Sequence, residues 1–66
     1  MRIELNGEET VIDEATTLAQ LLEQQGYGPR RIAVEVNEEV VPRSRFAEHR
    51  LSSHDRVEII HAIGGG

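Results

Sequence analysis

Asn6-Gly7 sits between two short runs of alternating polarity and commits the start of the chain to a tight antiparallel hairpin. Both central residues of a type I′ turn need positive φ, which asparagine and glycine tolerate best. Arg2-Ile3-Glu4-Leu5 before the turn alternates polar and apolar, the period of a half-buried strand. The return strand is predicted from about Glu8 to Asp13. Val11 and Ile12 fall on opposite faces of it, and Ile12 is assigned to the inner one.

A helix follows. Thr17-Leu18-Ala19-Gln20 reads as a capping box, with Thr17 at the N-cap and Gln20 reaching back to it. Leu18, Leu21 and Leu22 then share one helical stripe. Gly26 and Gly28, with Pro29 just beyond, supply stop signals, so the helix is predicted over about Leu18 to Gln25. Ile32, Val34 and Val36 alternate with Ala33 and Glu35 as a third strand. Asn37-Glu38-Glu39 turns into a short Val40-Val41 strand that Pro42 ends or confines to an edge. Arg43 to Leu51 is polar and irregular, with one helical turn expected and with Phe46 and Leu51 tucked against the core. Ser52 to Asp55 forms a turn, and the last strand runs from Arg56 to about Ala62 with Val57 and Ile59 inward.

One helix this short covers a single sheet face, so the expected class is α+β: a mixed sheet of four to five strands with the helix packed across it. Placing the first and last strands side by side in the centre makes them parallel and sends the C-terminus out from the end of the sheet. The 66 residues form one domain, expected over 1–63, with a flexible glycine tail at 64–66. A domain this small buries only about 60% of its unfolded surface. It contains no cysteine, so neither disulfide staples nor thiol chemistry are available.

Charge narrows the function. Twelve acidic residues against seven basic ones leave a net charge of −5, which repels nucleic acid and anionic membrane surfaces and suits a partner with a basic docking face. All seven basic residues are arginine, so no lysine is present to build isopeptide-linked polymers on the chain itself. No stretch has the length and apolarity of a membrane span, and Met1-Arg2-Ile3-Glu4 is no signal-peptide core. The expectation is a cytoplasmic domain without bound nucleic acid or membrane.

Side-chain catalysis finds little support. His49, His54 and His61 lack close metal-ligand spacing and have no cysteine to assist them. Ser44, Ser52 and Ser53 lie in polar loops without a nucleophile-elbow pattern. The acidic pairs Glu8-Glu9, Asp13-Glu14 and Glu38-Glu39 fall at turns and strand ends, where a solvated face is the ordinary reading. Gly7 joins two strands rather than opening a helix, so no phosphate loop is formed. No catalytic residue and no metal ligand is assigned.

The end of the chain is different. Gly64-Gly65-Gly66 follows directly on the apolar strand, with no serine-rich spacer. Glycine lacks Cβ, so such a tail can thread a narrow channel and present its carboxylate to another protein. Bulky residues there would block the channel and shield the carbonyl. A frayed terminus or a linker remnant is the plainer reading of three glycines alone. Ile60 and Ala62 fall on the strand face opposite Val57 and Ile59, and Ile63 continues beside the tail. Together they form a candidate docking patch, although scattered exposed apolar residues are normal.

With these residues assembled, the chain resembles the ThiS family, the sulfur carrier proteins of thiamine biosynthesis, which are ubiquitin-like β-grasp proteins. The resemblance spans essentially the whole length. It is carried by Asn6-Gly7, by Thr17-Leu18 with Leu21-Leu22, and by Val36-Asn37, Val40-Val41-Pro42-Arg43 and Phe46. Asp55, the strand Val57 to Ile60 and Gly65-Gly66 complete it. The resemblance implies a β-grasp fold and a carrier that is not itself an enzyme. The Gly66 carboxylate would be adenylated by a partner of the ubiquitin-activating type, with ATP and Mg used by that partner and no cofactor bound here. A persulfide from a cysteine desulfurase or similar donor would convert it to a thiocarboxylate, and a thiazole synthase would take the sulfur. Gly64 and Gly65 would thread the partner channel, and Ile60, Ala62 and Ile63 would dock. Gly64 is a third glycine where relatives can carry another residue.

Rival readings stay open at this point. The small subunit of molybdopterin synthase is also a β-grasp carrier ending in Gly-Gly, but that family is generally longer and fits the Val40-Val41-Pro42-Arg43 run less well. Carriers serving tungsten-cofactor, cysteine or methionine synthesis share the tail. A protein modifier joined through Gly66 to target lysines would appear in isopeptide conjugates. A plain interaction domain would keep its activity without Gly65-Gly66.

Overall fold

A computed structural model describes residues 1–28 and 31–61. The predicted stop at Pro29, the expected end of the last strand at Ala62, and the assignments to Ile63, Gly64, Gly65 and Gly66 lie outside those residues.

Strand β1 (Arg2–Leu5) turns through Asn6-Gly7 into β2 (Glu8–Val11), pairing antiparallel with Leu5 opposite Glu8. Asn6 has φ 49° and Gly7 φ 85°, the two positive values of a type I′ turn. The expected strand to Asp13 is shorter. Pairing ends where Met1 and Ile12 exchange backbone hydrogen bonds, and the Asp13 carbonyl then accepts from the Thr16 hydroxyl at 2.6 Å. Ile12 is buried and Val11 exposed, as their opposite faces required.

Helix α1 (Leu18–Gln24) has the predicted capping box: Thr17 Oγ1 accepts from the Gln20 N–H, and Gln20 Oε1 accepts from the Thr17 N–H. The two remaining N-terminal donors go to backbone carbonyls of the distant 43–51 segment, Leu18 N–H to His49 O and Ala19 N–H to Phe46 O, at 2.8 and 2.9 Å. All the donors that a helix start leaves unpaired are thereby satisfied, which moors the first turn to that segment. The helix stops one residue before the expected Gln25, which caps it, and Gly26 follows in the left-handed region at φ 83°.

Strand β3 (Ile32–Val36) pairs antiparallel with β4 (Glu39–Val41), and a single 3₁₀ turn (Arg43–Arg45) follows Pro42. Phe46 and Leu51 are both buried, as expected. Strand β5 (Arg56–His61) completes one mixed sheet in the order β2-β1-β5-β3-β4. It pairs parallel with β1 and antiparallel with β3, which puts the last strand in the centre. Leu18, Leu21 and Leu22 of the helix join Ile3, Leu5, Val34, Val36, Val57 and Ile59 of the sheet in one core. Each fully buried leucine contributes about 2 kcal/mol, a large share of the stability of so small a domain.

Two residues that carried the family resemblance have structural work. Asn37 Nδ2 donates to Asp55 Oδ1, Asn37 Oδ1 accepts from the Arg56 N–H, and Asp55 Oδ2 accepts from the Ser52 N–H, all within 2.8 to 2.9 Å. The β3–β4 turn is thus tied to the turn that launches β5.

Candidate functional site: the end of the central strand

Side chains alternate along β5, and its two faces differ in kind. Val57 and Ile59 point into the core at 0% and 7% exposure, whereas Arg56, Glu58 and Ile60 lie on the face away from the helix. Ile60 is 49% exposed, so the first of the three predicted docking residues is where the alternation put it. Residues paired in register share a face, and Ile60 stands opposite Ala33, which is also exposed. Ala62 and Ile63 lie outside the described residues.

The charges on this outer face are ordered along β5. Arg56 Nε lies 3.3 Å from Glu4 Oε2, and Arg2 Nη1 lies 3.8 Å from Glu9 Oε2. Glu58 then stands opposite Glu35. Beyond them the surface turns apolar at Ile60 and Ala33 and cationic at its far rim. Arg31, Ile32, Ala33, Arg43, Ile60 and His61 line a shallow depression of about 550 Å³ there. The His61 ring packs against Tyr27 with centroids 5.2 Å apart and planes at 43°. That contact was not foreseen, because Tyr27 follows the helix and nothing in the spacing ties it to β5.

The two sides of β5 are also unequal. β1 accompanies it only through Glu4↔Arg56 and Leu5↔Val57, while β3 follows it to Ile32↔His61. Where β1 turns away, the Ile59 N–H donates to Asn6 Oδ1 at 2.8 Å. His61 is the last described residue of β5, and Ala62-Ile63-Gly64-Gly65-Gly66 come next in sequence.

The described residues also include the three histidines and the acidic pairs of the sequence. No group of three or more His, Cys, Asp or Glu is placed to hold a metal ion among them. His49, His54 and His61 lie apart, on the 43–51 segment, in the turn before β5 and at its end. No helix among the described residues is long and apolar enough to cross a membrane.

Known proteins bear on this geometry. The model of the ThiS family matches residues 2–66. A thiazole synthase of Magnetococcus marinus is 42% identical over 66 residues, which is all of this chain but only 20% of that protein. The sulfur carrier protein ThiS of Bacillus subtilis is 32% identical over 65 residues, covering 97% of this chain and 98% of that one. The crystal structure of the thiamine biosynthesis protein ThiS from Geobacter metallireducens superposes with a TM-score of 0.85 at 29% identity, over the whole of both chains. The five-stranded sheet and its helix are therefore the β-grasp architecture of these proteins. The chain belongs to the ThiS family.

Proposed function

We propose that this protein carries sulfur on the Gly66 carboxylate for assembly of the thiazole moiety of thiamine. The observation that carries the reading is the position of the glycines. They begin three residues after His61, the last described residue of the central strand of a ThiS-family domain.

A carboxylate is a poor acyl donor, and the chemistry begins by changing that. A ubiquitin-activating-type partner binds ATP and Mg, and the Gly66 carboxylate oxygen attacks the α-phosphorus with loss of pyrophosphate. The terminal sulfur of a persulfide, supplied by a cysteine desulfurase or similar donor, then attacks the acyl carbon and AMP leaves. A second thiol cleaves the resulting acyl disulfide, which leaves a thiocarboxylate on Gly66 and a disulfide on the donor. The thiazole synthase receives that sulfur. Thiazole synthases of Magnetococcus marinus and Paramagnetospirillum magneticum contain stretches 42% and 39% identical to this whole chain. Such a combination within one polypeptide supports a thiazole synthase as the recipient and the thiamine route over the molybdopterin one.

The domain supplies presentation rather than catalysis. Ile60 with Ala62 and Ile63 docks on the partner, and Gly64 and Gly65, which lack Cβ, pass through its channel. The adenylating step consumes ATP, which the cytoplasm supplies, and the cycle is placed there on that ground. ATP–pyrophosphate exchange by the adenylating enzyme tests the reading. Exchange is expected with the full chain and is abolished by deleting Gly65-Gly66, with the far-ultraviolet circular dichroism unchanged. Undiminished exchange by the deleted, folded chain would rule out Gly66 as the reacting end.

A further inference from the structure

The parallel ladder between β1 and β5 runs one bond further than β1 itself. Glu4 N–H donates to Asp55 O and Asn6 N–H to Val57 O, both at 2.9 Å. In a continuing parallel ladder the next bond would run from the Ile59 N–H to the Asn6 carbonyl. Asn6 is already in the hairpin turn at φ 49°, outside the extended backbone that would carry the ladder on. Its side chain takes the place of its own backbone, and Oδ1 accepts the Ile59 N–H at 2.8 Å across 53 residues of sequence.

This bond holds β5 where its support becomes one-sided. Ile60 and His61 pair with Ala33 and Ile32 on the β3 side, with no β1 residue opposite them. The three glycines begin five residues after Ile59. A swing of β5 about its β3 edge changes the direction in which the chain leaves the sheet after His61. We propose that Asn6 is a positioning residue that fixes the exit direction of β5 and so delivers the Gly66 carboxylate to the activating site. The proposal rests on Gly66 being the reacting end. Asparagine meets two demands at once here: it accepts positive φ for the turn, and its amide oxygen reaches the orphaned donor.

Substitution separates the two demands. Asn6→Gly keeps a pair suited to the type I′ turn and removes the acceptor; Asn6→Asp keeps both the turn and an oxygen in that place. Ile59 amide exchange by NMR reports the bond, and steady-state ATP–pyrophosphate exchange with the adenylating enzyme reports delivery. Asn6→Gly is expected to speed Ile59 exchange and to lower kcat by about tenfold or more, the cost of misaligning a reacting group. KM should stay within about twofold, because the docking face is untouched, and Asn6→Asp should restore kcat. Asn6→His also tolerates the left-handed region, and it gives the same reading should Asn6→Gly not fold, provided that fast Ile59 exchange shows its ring nitrogen is not accepting the Ile59 N–H. A folded Asn6→Gly or Asn6→His variant with fast Ile59 exchange and wild-type kcat overturns the proposal. A wild-type chain inert to an active enzyme instead overturns the Gly66 reading beneath it.

Discussion

Glu35 on β3 stands directly opposite Glu58 on β5, on the sheet face away from the helix, and neither has an ion-pair partner among the described residues. Like charges facing each other across paired strands are destabilising by a few tenths of a kcal/mol. Glu58→Gln is therefore expected to stabilise the fold by about 0.3 kcal/mol, raising Tm by roughly 2 °C in a domain of this size. The gain should shrink in 1 M salt, where the repulsion is screened. Urea unfolding at low and high salt measures both, and a loss of stability would mean that Glu58 makes a favourable contact instead.

The two residues of the β3–β4 turn, Asn37 and Glu38, both have positive φ, at 53° and 71°. For Glu38 this is strain, since a residue with Cβ crowds its carbonyl there. Glu38→Gly should stabilise by about 0.5–1 kcal/mol. Asn37→Gly should do the reverse, because the Asn37 side chain holds Asp55 and the Arg56 N–H. Equal effects from the two changes, read by thermal unfolding, would contradict this assignment.

Thr17 caps α1 with its side chain and accepts the Leu21 N–H with its carbonyl. Thr17→Ala should cost about 1 kcal/mol through loss of the side-chain cap alone. Phe46→Ala should cost more, about 3 kcal/mol, because it empties a core position on the segment whose carbonyls hold the start of the helix. Chemical denaturation of both variants checks the order.

Ile60 is half exposed on a strand otherwise held by its neighbours, so Ile60→Ser should change stability by less than about 0.5 kcal/mol. On the proposed docking role, its effect is expected in partner binding. KM for the adenylating enzyme should rise by roughly tenfold with kcat little changed, the loss of burying one aliphatic side chain. That is the opposite split from the one expected at Asn6. A fall in kcat at constant KM would place Ile60 in delivery rather than docking.

Much of this fold was legible because it is written in side-chain periodicity. Alternation marked β1, β3 and β5 and assigned Val57 and Ile59 inward and Ile60 outward. The Thr17–Gln20 box and the leucine stripe marked the helix, and Asn6-Gly7 marked the turn type. What stayed hidden is carried by backbone groups or by one residue serving two neighbours. The His49 and Phe46 carbonyls that receive the helix N–H groups look like any other carbonyls in sequence. The bond from Ile59 to Asn6 joins residues at opposite ends of the chain, and nothing local distinguishes this asparagine from one that only turns. Glu38 in a left-handed turn defies its own preference, held there by strand pairing and by the Asn37–Asp55 contact. The Tyr27–His61 pairing likewise follows from the sheet order, which brings the end of β5 beside the strand after the helix.

The central claim concerns one atom, an oxygen of the Gly66 carboxylate. Its most direct test is the intact mass of the protein after incubation with the adenylating enzyme, ATP and a persulfide donor. The account predicts a gain equal to replacing one oxygen by sulfur, confined to the fragment ending in Gly66 and absent without ATP. An unchanged mass, with an enzyme and donor that modify another ThiS-family carrier in parallel, would contradict it.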